Sequence, residues 1–150
     1  MGMGARLHAI SQEFYDAALA GEINDPMLPH GEVIQCVDIE SAWHAIHYLI
    51  TGDLSLTFLL GGTQLKGVSE HCEVHAPQSM KVLSETLSQR SVADIMSNYD
   101  PAAFARYAIY PNNWEASDAT RDRVERQLIQ FLRLLRDVVG RNAGLLAIIC

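Results

Sequence analysis

The spacing of apolar residues along this chain switches between two and three-to-four, and the switches mark out its elements. Residues 3–10 alternate, with Met3, Ala5, Leu7 and Ala9 on one side and Arg6 and His8 on the other, which predicts a strand. Ser11 then suits the N-cap of a helix, with Glu13 in the first turn, where the helix dipole favours an acid. That helix carries Phe14, Ala17 and Ala18 on its apolar face and stops at Gly21. The stretch from Gly21 to Gly31 holds two prolines and two glycines. It reads as a loop longer than most connections, and so as a candidate functional loop.

Glu32 to Val37 predicts a short strand, after which Asp38 is placed to cap a helix through Thr51, with Gly52 just past its end. Ile39, Trp43, Ile46 and Ile50 then form one helical stripe. Leu54 to Leu60 (LSLTFLL) fits either a strand or a buried helical turn, closed by Gly61-Gly62. Glu73 to His75 suits a further strand, and Pro77 suits the first position of a helix reaching about Ser88. Ser91 and Asp100-Pro101 each start a short helix, and Tyr110 to Asn113 makes a turn. The longest helix runs from about Asp118 to Arg141 on a stripe of Val124, Leu128, Phe131, Leu135 and Val138. Leu145 to Ile149 is an unbroken apolar run that reads as a fully buried strand. The elements do not alternate as regular βαβ units would. The expected architecture is therefore α+β: one domain over residues 1–150, with five or six helices packed on a small mixed sheet of short strands.

Composition supports a packed core, with 49% apolar and 19% charged residues over 150 positions. The net charge of −7 argues against nucleic acid, whose phosphates call for a basic face. The charge is uneven. Residues 1–75 hold ten acids and two bases, a net of −8, which makes a basic protein partner the expected kind. No apolar run approaches the ~20 residues of a membrane span. The opening residues lack the apolar core of a secretory signal, and position 6 holds Arg6 where myristoylation wants Ser or Thr. With three sparse cysteines, Cys36, Cys72 and Cys150, the expectation is a cytoplasmic chain with reduced thiols.

Three stretches carry a family likeness: Met1-Gly2-Met3, the segment Asp38 to Gly52 (DIESAWHAIHYLITG), and Ile109 to Trp114 (IYPNNW), with Gly61-Gly62 between the last two. In this order they resemble the YfbM-like family of small bacterial proteins, a domain of unknown function. The resemblance implies a single α+β domain and no established activity. Trp43, His47, Gly52, Tyr110, Pro111 and Trp114 match its pattern, and the segment between Gly67 and Pro77 departs from it.

Candidate chemistry is sparse, and no catalytic residue, cofactor or metal is expected. There is no Gly-x-Ser-x-Gly elbow, and Gly61 to Gly67 lacks the Gly-Lys-Ser/Thr ending of a phosphate loop. His71, Cys72 and His75 hold ligand types at close range, but no second pair completes a tetrahedral set. His47 sits one turn after Trp43 on an apolar stripe. The commoner reading is a core histidine with satisfied hydrogen bonds; the functional one is a ligand contact in a cleft with Trp43, Tyr110 and Trp114. Two functions follow. The favoured one is an acidic protein-binding or inhibitory module that meets a basic partner through the loop bearing Glu22 and Asp25. The alternative is a small-molecule-binding domain or enzyme with its pocket near Trp43, His47 and Trp114.

Overall fold

A computed structural model of the protein describes residues 2–23, 33–65 and 71–150. Eleven elements follow in the order β1 (Ala5–Ile10), α1 (Gln12–Leu19), β2 (Val33–Glu40), α2 (Trp43–Thr51), β3 (Thr63–Gln64), β4 (His71–His75), α3 (Pro77–Leu87), α4 (Val92–Met96), α5 (Pro101–Arg106), α6 (Asp118–Gly140) and β5 (Gly144–Ile149). The strands form one sheet in the order β2-β1-β5-β4-β3.

Each neighbouring pair is antiparallel, so the sheet is not mixed as expected from the sequence. The reason lies in the last strand. β1 and β4 run in the same direction, and β5 slots between them in the opposite one. Its six residues are all buried, because both faces of the sheet are covered where it runs.

Alternation along the strands divides the apolar residues between two cores. Leu7, Ala9, Leu145, Ala147 and Ile149 face the larger core, which is closed by α2, α4, α6 and the aromatic residues Phe58, Phe104 and Phe131. Ile10, Cys72, Val74, Leu146 and Ile148 face the smaller one, covered by Phe14 and Ala18 of α1. The stripe foreseen on α6 is the buried one, joined by Leu134.

The helix starts follow the caps in the sequence. The Ser11 hydroxyl accepts from Phe14 N–H at 3.0 Å, and Ser91 and Asp94 form a reciprocal capping box. Asp100 accepts from Ala102 N–H ahead of Pro101. Gly52 ends α2 in the left-handed region, at φ 71°.

Two expectations change. Asp38 does not cap α2: its carboxylate accepts from Glu40 N–H at 2.7 Å, and the backbone from Asp38 to Glu40 stays in β2, paired with Arg6 and Ala5 of β1. Pairing to a neighbouring strand overrides the local cap signal there, so α2 starts four residues later than expected, behind Ala42. Ile39 accordingly belongs to the strand and leaves the helical stripe. Leu54 to Leu60 is neither strand nor helix; it is an irregular run of bends.

Candidate functional site

α2 aims two imidazoles, His44 and His47, at the irregular segment of residues 53–62. Their spacing of three puts both on one helix face, with ring centroids 6.4 Å apart. His47 is fully buried. Its Nδ1 accepts from Leu59 N–H at 2.9 Å, and its Nε2 lies 2.9 Å from Asp53 Oδ2. A nitrogen that accepts carries no proton, so the proton sits on Nε2 and is donated to Asp53. His44 repeats the arrangement. Its Nδ1 accepts from Tyr110 N–H at 2.8 Å, and its Nε2 donates to the Ser55 carbonyl at 3.0 Å. Both imidazoles are therefore neutral, and burial pushes His44 below the ordinary histidine range.

The segment is gripped elsewhere too. Asp53 also accepts from Ser55 N–H at 3.0 Å, and hydrogen bonds from Ser55 and His47 hold its carboxyl at about 2. The Thr57 hydroxyl donates into the Glu73 carboxylate, with its two oxygens 2.5 and 2.6 Å away. Phe58 is fully buried and meets Phe131 edge-on at 5.2 Å. Gly62 lies flat on the His75 ring, where a Cβ would come within 2.6 Å of Cε1, so no larger residue fits.

What this grip presents is apolar. Leu54, Leu56 and Leu60 are 48%, 58% and 57% exposed. Scattered exposed leucines need no explanation. Three within seven consecutive residues, on a segment fixed by buried polar anchors, form a concentrated apolar display.

The residues singled out from the sequence lie nearby but face inward. Trp43 stacks on Tyr110 at 5.5 Å and on His44 at 5.3 Å. Its Nε1 donates to the Met3 carbonyl at 3.1 Å, and the Tyr110 hydroxyl accepts from Met3 N–H. Trp114 donates to the Ile109 carbonyl at 2.9 Å and packs on Phe104 in a second aromatic group. Thus Trp43, His47 and Tyr110 are joined through His44, Trp114 stands beside them, and the polar atoms of the two indoles and of His47 are bonded to the chain itself. A cleft of about 550 Å³ opens at the C-terminal end of α2, lined by Tyr48, Ile50, Gly52, Arg90, Asn98 and Asp100, and none of the four lines it.

Replacing His47 by Gln should lower stability by about 1–3 kcal/mol in a urea melt, because a glutamine carries its oxygen and its NH2 at the end of the chain and cannot set one at the Nδ1 position facing Leu59 N–H while the other reaches Asp53. An unchanged melt would show that the staple is not needed to hold the segment.

Glu22 is exposed after α1; Asp25 lies outside the described residues. On β4, His71, Glu73 and His75 share one face, while Cys72 is buried on the other. His71 Nε2 meets Glu73 Oε1 at 2.9 Å. Along an extended strand His71 and His75 are ~13 Å apart, too far to share a metal ion. Among the described residues no three His, Cys, Asp or Glu side chains form a metal-holding group.

Residues 1–148 match the model of the DUF1877 family, a domain of unknown function. The chain belongs to this family. The structure of this DUF1877 protein is similar to the crystal structure of YfbM from Escherichia coli, itself a protein of unknown function, with a TM-score of 0.69 and 14% sequence identity. The likeness covers 98% of this chain and 99% of that one, and at such identity it establishes the shared fold. The YfbM-like resemblance read from Asp38 to Gly52 and Ile109 to Trp114 is thereby confirmed. No curated protein matches the sequence.

Proposed function

We propose that this DUF1877 protein is a protein-binding module whose contact surface is the segment of residues 53–62. The observation that carries the reading is the contrast between its two sides. Inward, His44, His47, Glu73 and Phe58 fix it; outward, Leu54, Leu56 and Leu60 stand in water. Fully burying one leucine side chain is worth about 1.5–3 kcal/mol, and folding leaves about half of that unrealised at each of these positions. A segment already fixed pays little ordering entropy when a partner covers it, so that free energy goes into affinity.

The partner that fits is a protein with an apolar groove rimmed by basic residues. The groove takes the leucines, and the net −8 of residues 1–75, Glu22 and Asp25 among them, steers the encounter.

The test compares the wild-type chain with a Leu54→Ser/Leu56→Ser/Leu60→Ser variant as baits in lysate of the source cells. The variant should melt within about 0.5 kcal/mol per site of wild type, since the positions are solvent-facing. A protein captured stoichiometrically by wild type should be missing from the variant, and its capture should weaken at high salt. Equal capture by both baits would overturn the reading. Reversing Glu22 to Lys should slow association at low salt while leaving dissociation nearly unchanged.

A further inference from the structure

We infer that the grip on residues 53–62 is a proton-sensitive latch: acidification below the ordinary histidine range releases the segment from α2 and β4 and so dismantles the leucine display. The inference rests on the docking reading for its consequence, but not for its test.

The latch is built from acceptors that a proton destroys. Nδ1 of His44 faces Tyr110 N–H, and Nδ1 of His47 faces Leu59 N–H. Protonating either nitrogen turns an acceptor into a donor that meets another donor. A third imidazole lies under the same segment. His75 is fully buried beneath Gly62; neither ring nitrogen has a partner at hydrogen-bond geometry, and the Phe58 backbone is the polar group that acts on it from the segment. An imidazolium there would be buried, and that cost outweighs the help it would have from Glu73 and the Phe58 backbone.

The charged and titratable neighbours do not act alike. His47 faces Asp53 from the segment, His44 from its own helix and His75 from β4. Asp53, its side chain 31% exposed, lies 2.9 Å from His47 Nε2. His44 has the Ser55 carbonyl and no bonded carboxylate, with Asp53 and His47 acting at longer range. His75 faces Glu73, whose carboxylate is engaged by Thr57 and His71, and also faces His47. Trp43 adds a ring face against His44, and Tyr110 its backbone N–H. His44 and His75 are thus the pair most firmly held neutral, and burial depresses both.

The direction follows from linkage. Above about pH 7 both forms are neutral, and the closed state is undisturbed. As pH falls through about 6.5, the open form takes up protons that the closed form binds less readily, and the closed state is progressively lost. At pH 5, each imidazole that titrates only when open raises the open-to-closed ratio about 30-fold, and two together about 1000-fold.

Amide hydrogen exchange on the wild-type protein reads this directly, because the Leu59 and Tyr110 amides are the donors at the two latches. Their protection, corrected for intrinsic exchange, should fall from pH 7.5 to 5 by up to about 1000-fold, while Ala147 in β5 stays protected. A His44→Asn variant keeps an acceptor near the Nδ1 position without the titration, and it should shrink that fall by up to about 30-fold. Protection at Leu59 and Tyr110 that is independent of pH, or that falls only in step with Ala147, would overturn the latch. No partner enters the measurement, so its failure leaves the docking reading standing; loss of the docking reading in the leucine variant leaves the latch standing.

Discussion

Replacing Phe58 by alanine should lower the stability of the protein by about 3–5 kcal/mol, the cost of emptying a fully buried aromatic site. Phe58 stands between the two polar grips on its segment, the Thr57 bond to Glu73 and the Leu59 bond to His47, and meets Phe131 of α6 edge-on. Its removal takes away the apolar floor on which those bonds are made, and that aromatic pair contributes about 0.5–1.5 kcal/mol beyond the area buried. Urea unfolding measures the loss. The contrast with its neighbours is the informative part: Leu56 and Leu60, two residues away on either side, should tolerate serine with almost no change. If Phe58→Ala melted like wild type, the segment would not be anchored from within, and the display of leucines would lose its rigid base.

Trp43 should be the second costly position. Its alanine variant is expected to lose about 3–5 kcal/mol, since the indole is 1% exposed and is sandwiched against Tyr110 and His44. The ring also ties the N-terminal residues to α2 through the Met3 carbonyl. A Trp43→Phe variant keeps most of the packing and loses that hydrogen bond, so its cost should be about 1 kcal/mol plus a small cavity term. Comparing the two in the same melt separates packing from polar tethering. A ligand-contact role for Trp43 would show differently, as lost ligand binding in Trp43→Phe at unchanged stability.

Much of the fold was legible because its signals are local. Ser11, Ser91, Asp100 and Gly52 act within one helical turn, and the structure uses each as its residue type suggests. The apolar run Leu145 to Ile149 could be read as a buried strand, because no polar position interrupts it. What failed depended on partners far away in sequence. Asp38 looks like a cap until β1 pairs beside it and holds Asp38 to Glu40 extended. The parallel component expected of the sheet vanishes because the last strand inserts between β1 and β4, which no local pattern announces.

The candidate site was legible only in part. His47 stood out as a polar residue on an apolar stripe, and it is a core histidine with both ring nitrogens bonded. His44 did not stand out, although its spacing of three from His47 places the two on one face. The run LSLTFLL was visible as apolar. Its division into inward Phe58 and Leu59 and outward Leu54, Leu56 and Leu60 comes from Glu73 and the two imidazoles, brought there by the fold. Residues that anchor a segment from 11 to 16 positions away carry no local signature of that role.

Site-specific photo-crosslinking tests the central claim most directly. A photoreactive phenylalanine analogue at position 56 replaces an exposed leucine in the segment, and the same analogue at position 82 replaces Val82, which is 53% exposed on α3. Irradiated in the source cells, the chain labelled at 56 should form one discrete adduct with a partner protein, and the chain labelled at 82 should not. No adduct at 56, or the same adducts from both positions, would contradict the assignment of residues 53–62 as the docking surface.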